Sequence, residues 1–195
     1  MANADLRASG YMSRAMAGPD LALRPYAAAD EEILIELWRR GWQQAYPEID
    51  FTARVAWWRA RWRNELVPVA TIAVAELAGK PVGFVTIDAK GGYLDQIVVA
   101  PEAWGRGVAE ALLAEAKRIS PEKLELHVNT DNARALRFYE KHGFAVTGEG
   151  VNPHSGRPVL AMRWESASSR LAREPSPLAG EGGSPEHRDG EPGEG

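Results

Sequence analysis

The chain of 195 residues contains no cysteine, and that absence alone removes several classes of protein. A disulfide framework, a zinc finger, an iron–sulfur site and a cysteine nucleophile all require a thiol. Histidine is scarce, at positions 127, 142, 154 and 187, too sparse for a dedicated metal cage, so no metal is expected. Long apolar runs are missing. No stretch approaches the about 18 consecutive apolar residues of a membrane span, and no membrane partner is expected. Residues 1–20 mix Asp5, Arg7 and Arg14 with small residues and lack the apolar run of a signal peptide. A soluble, cytoplasmic protein is therefore the expectation. Excess positive charge is also lacking. The 23 Lys and Arg stand against 27 Asp and Glu, which excludes the strongly basic footprint of a nucleic-acid binder.

What is present fits one domain with a sizeable core: the length suits a single folding unit, and 45% of residues are hydrophobic. Residues 1–20 read as a poorly ordered leader. Residues 166–195 hold six Gly, four Pro and six acidic residues against three Arg, with Leu171 and Leu178 as the large apolar side chains. Such a composition buries too little surface to offset its chain entropy, so an acidic, disordered tail is expected there. The domain proper is placed at 21–165.

Inside those bounds strands and helices mix. Residues 21–25 alternate like a short strand. Asp30 is expected to cap a helix carrying Ile33, Leu34, Leu37 and Trp38. A second amphipathic helix is predicted over 52–66, with Val55, Trp58 and Trp62 in register. Strands over 68–77 and 82–87 are joined by Gly79-Lys80-Pro81, and Gly91-Gly92 turns the chain into a strand over 93–99. A helix over 105–119, a strand over 123–128, a helix over 132–142 and strands over 144–150 and 159–164 follow. The order β-α-α-β-β-β-α-β-α-β-β predicts an α/β fold of the α+β type, with about seven strands in a mixed sheet.

The stretch from Leu94 to Leu113 is the most informative. A buried strand runs through Ile97, Val98 and Val99 to Pro101, and then come Trp104, Gly105, Arg106, Gly107, Val108 and Ala109. Glycines at a helix start let backbone N–H groups face an anion, which the helix dipole and Arg106 also favour. The physical reading is a pyrophosphate cradle; a helix start whose glycines merely permit close packing is the plain alternative. A Walker A loop is absent, and Glu110 breaks the dinucleotide fingerprint.

Further on, a strand with Leu124, Leu126 and Val128 on one face ends at a polar corner. Asp131 is expected to cap the next helix. Asn132 and Tyr139 lie seven apart and share a face, Lys141 and His142 suit the last turn, and Gly143 fits the position after the cap.

Between about Leu21 and Trp164 the chain resembles the GNAT superfamily of acyl-CoA-dependent N-acetyltransferases. The resemblance rests on the Gly105-x-Gly107-x-Ala109 turn and on Asn132-x-x-Ala135-x-x-x-Tyr139 followed by Glu140-Lys-His-Gly143-Phe144. It implies acetyl-CoA as co-substrate, its pyrophosphate on the glycine turn and its pantetheine arm along 97–99. It also implies a sheet splayed between its fourth and fifth strands. Trp104 departs from the Gln or Arg usual there, which bears on how the diphosphate is oriented.

Acetyl transfer to an amine needs an acid for the departing thiolate, whose conjugate thiol titrates near ~8.5, and a route for the amine's proton, near ~10.4. By resemblance Tyr139 is the acid and Asn132 orients the cofactor arm. His127 is the candidate base, or equally a strand-edge histidine. Asp95 either looks into the acceptor cleft or anchors a turn. Among the clustered aromatics, Trp42 and Tyr46 are picked as acceptor-lining, and the turn 152–158 bearing His154 and Arg157 is expected to close the cleft. The acceptor is expected to be a small-molecule or peptide amine; a homodimer is compatible with this. Two rivals stand beside the enzyme: an acyl-CoA-binding module without catalysis, and a nucleotide binder, which Glu110 disfavours.

Overall fold

The computed structural model describes residues 20–173. The expected leader therefore lies outside the described residues except for Asp20, and so does the tail beyond 173.

Seven strands form one sheet in the order β1-β2-β3-β4-β5-β7-β6. They are β1 (Leu21–Pro25), β2 (Thr71–Leu77), β3 (Lys80–Asp88), β4 (Tyr93–Val99), β5 (Lys123–Asn129), β6 (Ala145–Val151) and β7 (Pro158–Glu165). Every pairing is antiparallel except that of β4 with β5. The helices are α1 (Glu31–Ala45), α2 (Val55–Arg61), α3 (Val108–Ile119), α4 (Ala133–Lys141) and α5 (Ala167–Arg173). Up to β7 this is the order predicted from the sequence, with the mixed sheet in place.

Both faces of the sheet centre are covered. Phe84, Val85, Thr86 and Ile87 are consecutive in β3 and fully buried, which one-sided packing would not allow. Neighbouring strand residues point to opposite faces. At Gly83 an added Cβ would come within 3.2 Å of Leu112 and 3.3 Å of Val108, so α3 covers that side. Phe84 meets Trp62 edge-on at 5.3 Å, so the segment from α2 covers the other. Trp38 and Trp58 stack at 4.6 Å and fill the space between α1 and α2.

Several local expectations are corrected. Asp30 holds the N-cap position of α1, but its side chain makes no cap bond to that helix; it accepts from Arg24 at 2.6 and 2.8 Å and from the Ala27 N–H at 2.8 Å, closing a 3-10 turn, Ala28–Asp30, ahead of α1. Ile33 is exposed, and Ile35 takes its place in the core. The second helix stops at Arg61 and passes into a π-helical turn, Trp62–Leu66, which delays β2 to Thr71. The β2–β3 hairpin turns at Ala78 and Gly79, both with positive φ, while Lys80 and Pro81 already belong to β3. Residues 167–173, expected to be disordered, form α5. Ser166 starts it, its Oγ accepting from the N–H of Ser169 at 3.2 Å. This stretch lies ahead of the Gly and Pro residues, so averaging composition over the whole tail hid its helical character.

Candidate active site

The site begins with a misfit in β4. Thr86 pairs with Gln96 and Ile87 with Leu94, leaving Asp95 as an extra residue in a bulge. The Gln96 N–H donates to Thr86 Oγ1 at 3.0 Å. The bulge swings β4 away from its parallel neighbour: Tyr93 and Glu125 are the one register pair between β4 and β5. Beyond them the strands part.

Asp95 is held in that bulge by Arg61, which donates from two guanidinium nitrogens at 2.9 and 2.6 Å. Burial disfavours the Arg61 charge, but the hydrogen bonds and field of Asp95 outweigh it and leave the guanidinium above its ordinary value. Asp95 borders the cavity in the splay described below, and its partner is Arg61 of α2 rather than a turn.

At the end of β4, Pro101–Ala103 form a 3-10 turn, and α3 then starts at Val108, three residues later than predicted. Gly105 and Gly107 adopt φ of +76° and +77°, a left-handed conformation that favours glycine, with nothing within 4 Å of an added Cβ. The N–H groups of Gly105, Gly107, Val108, Ala109 and Glu110 find no acceptor among the described residues. Five unpaired donors at a helix start constitute an anion-binding geometry. Arg106 and Gly107 are exposed and line neither cavity described below. Trp104 is tied down twice: its indole N–H donates to the carbonyl of Val99 at 3.0 Å, and the Arg134 guanidinium lies 3.7 Å over its ring.

Across the gap, α4 is capped by Asn132, whose Oδ1 accepts from the Ala135 N–H at 3.1 Å. Asp131, expected to be the cap, is used elsewhere: it accepts from the Tyr46 hydroxyl at 2.8 Å and from Arg157 at 2.5 Å. At the other end Gly143 takes φ +85°, and the N–H groups of Gly143 and Phe144 bond back to Glu140 and Tyr139. Tyr139 is buried, its hydroxyl makes no hydrogen bond to any described residue, and burial pushes its pKa well above the ordinary range.

Two cavities meet over this helix. One, of about 510 Å³, runs between the β4–α3 turn and α4, bordered by Val98, Val99, Trp104, Gly105, Val108 and Ala109. The other, of about 350 Å³, occupies the splay between β4 and β5 and reaches α1, α2 and the β6–β7 turn. Trp42, Tyr46, Ile97, Asn132, Ala135 and Tyr139 border both. Five of the residues singled out from sequence, Trp42, Tyr46, Ile97, Asn132 and Tyr139, thus lie on the wall that the two cavities share.

On the second cavity, His127 is exposed and its Nδ1 lies 3.0 Å from the Tyr93 hydroxyl. Trp42 donates to Gln96 at 3.3 Å and stacks on Tyr46 at 5.8 Å. The Tyr46 hydroxyl also accepts from Asn129 at 3.0 Å, and burial leads the effects that raise its pKa. His154 sits at the rim against Trp57, with ring centroids 5.2 Å apart, so the β6–β7 turn does cover this side. Sequence reasoning missed Tyr93, Arg61 and Asn129. Each reaches its partner across 34 or more positions, and no local spacing marks such a pair. Among the described residues no cluster of His, Asp and Glu is arranged to hold a metal ion, and no helix is long and apolar enough to cross a membrane.

A strand splayed at a bulge, a glycine turn with unpaired N–H groups, and a capped helix presenting Asn132 and Tyr139 together define an acyltransferase scaffold. The model of the acetyltransferase (GNAT) family matches residues 31–144, and the chain belongs to that family. The peptidyl-lysine N-acetyltransferase YjaB of Escherichia coli (strain K12) is 30% identical over 146 residues, which cover 71% of this chain and 91% of that protein. YiaC, another peptidyl-lysine N-acetyltransferase of that strain, is 30% identical over 134 residues, 67% of this chain and 88% of its own. Among solved structures, apo YjaB from Escherichia coli superposes with a TM-score of 0.61 at 28% identity, covering 73% of this chain and 96% of that one. The PaiA N-acetyltransferase from Thermoplasma acidophilum, solved with coenzyme A, shares the fold with a TM-score of 0.63 at 20% identity, covering 75% and 99%. The chain is an N-acetyltransferase.

Proposed function

We propose that the chain moves an acetyl group from acetyl-CoA to a primary amine, with Tyr139 as the acid that protonates the departing thiolate. The observation that carries this reading is the wall shared by the two cavities, where Tyr139, Asn132 and Ile97 border both. The larger cavity is bordered by Gly105, Val108, Ala109 and Glu110, four of the five residues whose unpaired N–H groups suit a diphosphate, and it reaches Tyr139. The smaller leads from the splay to the same residue. The coenzyme A bound by PaiA and the peptidyl-lysine acceptors in the names of YjaB and YiaC support the donor and the amine respectively.

In the step itself the amine nitrogen bonds to the acyl carbon and the carbon–sulfur bond breaks. The sulfur takes the proton of the Tyr139 hydroxyl, and the nitrogen gives up its own. His127 with Tyr93, 3.0 Å apart on the acceptor side, form the proposed outlet for that second proton. Tyr139 is protonated across the neutral range, as a tyrosine whose pKa burial raises must be.

Calorimetric titration with acetyl-CoA and, separately, with NAD tests the donor. Saturable binding of acetyl-CoA and none of NAD is expected; the reverse overturns the assignment.

A further inference from the structure

The acceptor-side cavity carries a charge that acetyl transfer does not use. Arg54 lies in the turn before α2, half-buried on the cavity wall, with its guanidinium 5.6 Å from the centroid of the Phe51 ring. It makes no ion pair and no side-chain hydrogen bond among the described residues. The other arginines on this wall are matched: Arg61 by Asp95, and Arg157 by Asp131 and Glu48. A guanidinium has five donors, and those of Arg54 meet no acceptor among the described residues, which leaves them to solvent and to whatever enters the cavity.

The wall offers no internal anion to relieve it. Among the described residues Asp95 is the one carboxylate that borders the cavity, and both its oxygens are taken by Arg61. A polyamine bringing a second ammonium would find no free carboxylate here. The side of the wall that carries Arg54 is aromatic, with Trp38, Trp42, Phe51, Trp57 and Trp58 lining the space, while the side formed by β5 and the β6–β7 turn is more polar. About 350 Å³ is at the small-ligand end of binding cavities, and the Trp57–His154 contact narrows its mouth.

We propose that the acceptor is a small amine bearing a carboxylate on an apolar frame, a free α-amino acid with a large apolar side chain, and that Arg54 binds its carboxylate. This rests on the acetyl-transfer reading above and narrows its acceptor. The aromatic wall takes the side chain, Arg54 forms a charge-assisted pair with the carboxylate, and the amine is left to face Tyr139.

The tryptophans of the cavity supply the readout. Their fluorescence is titrated, with coenzyme A present, against phenylalanine and phenylalaninamide, leucine and leucinamide, and an N-acetylated lysine amide standing for peptidyl lysine. Each free amino acid is expected to bind about tenfold or more tightly than its amide, the size of one charge-assisted hydrogen bond. R54Q should erase that difference and R54K retain part of it, with acetyl-CoA affinity unchanged in both. Equal binding of acid and amide, a preference that survives R54Q, or tighter binding of the blocked lysine overturns the proposal. If acetyl-CoA binds and no amino acid does, this inference alone falls; if acetyl-CoA does not bind, the donor assignment falls first.

Discussion

The N–H of Phe144 donates to the carbonyl of Tyr139 at 3.0 Å, and their rings meet edge-on at 5.2 Å. The residue proposed as the acid is thus clamped by the C-cap of its own helix, and the clamp depends on Gly143 at φ +85°. Gly143→Ala is expected to cost about 1–2 kcal/mol for a side chain in the left-handed region, lowering Tm by roughly 2–8 °C. If Tyr139 acts from that clamped position, kcat falls as well while acetyl-CoA affinity holds. Thermal unfolding and steady-state rates on the same variant check both.

The Arg61–Asp95 pair is largely withdrawn from solvent, with side chains 13% and 16% exposed. Asp95→Ala leaves Arg61, beside Trp58, with the exposed Glu65 at 3.2 Å as its remaining partner, and is expected to destabilise by roughly 1–3 kcal/mol in urea unfolding. Replacing Arg61 by Met in the same chain should recover much of that loss.

The order of elements was legible in the sequence because periodicity and turn residues are local signals. Gly143 marks the end of α4, and Gly79 and Gly91-Gly92 mark the turns that bound β3. The glycine turn and the Asn132–Tyr139 spacing were legible for the same reason. The bulge at Asp95 was not, since it exists only relative to β3, and strict alternation would have placed Asp95 with Ile97 and Val99. Arg54 carried no signal either: an arginine at a helix start reads as solvated until the opposite wall is known. Asp131 and Asn132 are equally good caps by type, and Asp131 loses that role because Tyr46 and Arg157 converge on it from distant parts of the chain.

The glycine cradle has an internal control. Gly107 and Gly79 have φ of +77° and +74°, and neither has an atom within 4 Å of an added Cβ. Glutamate at either position bears similar backbone strain, but only at 107 does it bring a negative charge to the unpaired N–H groups. Gly107→Glu is expected to abolish acetyl-CoA binding, and Gly79→Glu to leave it intact, by calorimetry on folded protein. Equal affinities would remove the diphosphate from this turn.

Tyr139 also leaves a mark on stability at high pH. Burial holds its folded pKa above the ordinary value of 10.0, so the folded state keeps a proton that the unfolded chain releases. Stability is therefore unaffected by this group below about pH 10 and falls as pH rises beyond it. In denaturant titrations between about pH 9 and 11, Tyr139→Phe should lack that part of the decline.

The most direct test is the turnover of Tyr139→Phe with the best amine, followed by release of free coenzyme A from about pH 6 to 9. Keeping the ring should preserve packing and donor affinity, while losing the hydroxyl removes the proton for the thiolate. General acid catalysis contributes about 10²–10⁴-fold, so a fall in kcat of that order is predicted at low pH. The deficit should narrow as pH approaches the thiol's own pKa near ~8.5, where the thiolate leaves unaided. Wild-type turnover at every pH would contradict the account and reduce Tyr139 to a packing residue.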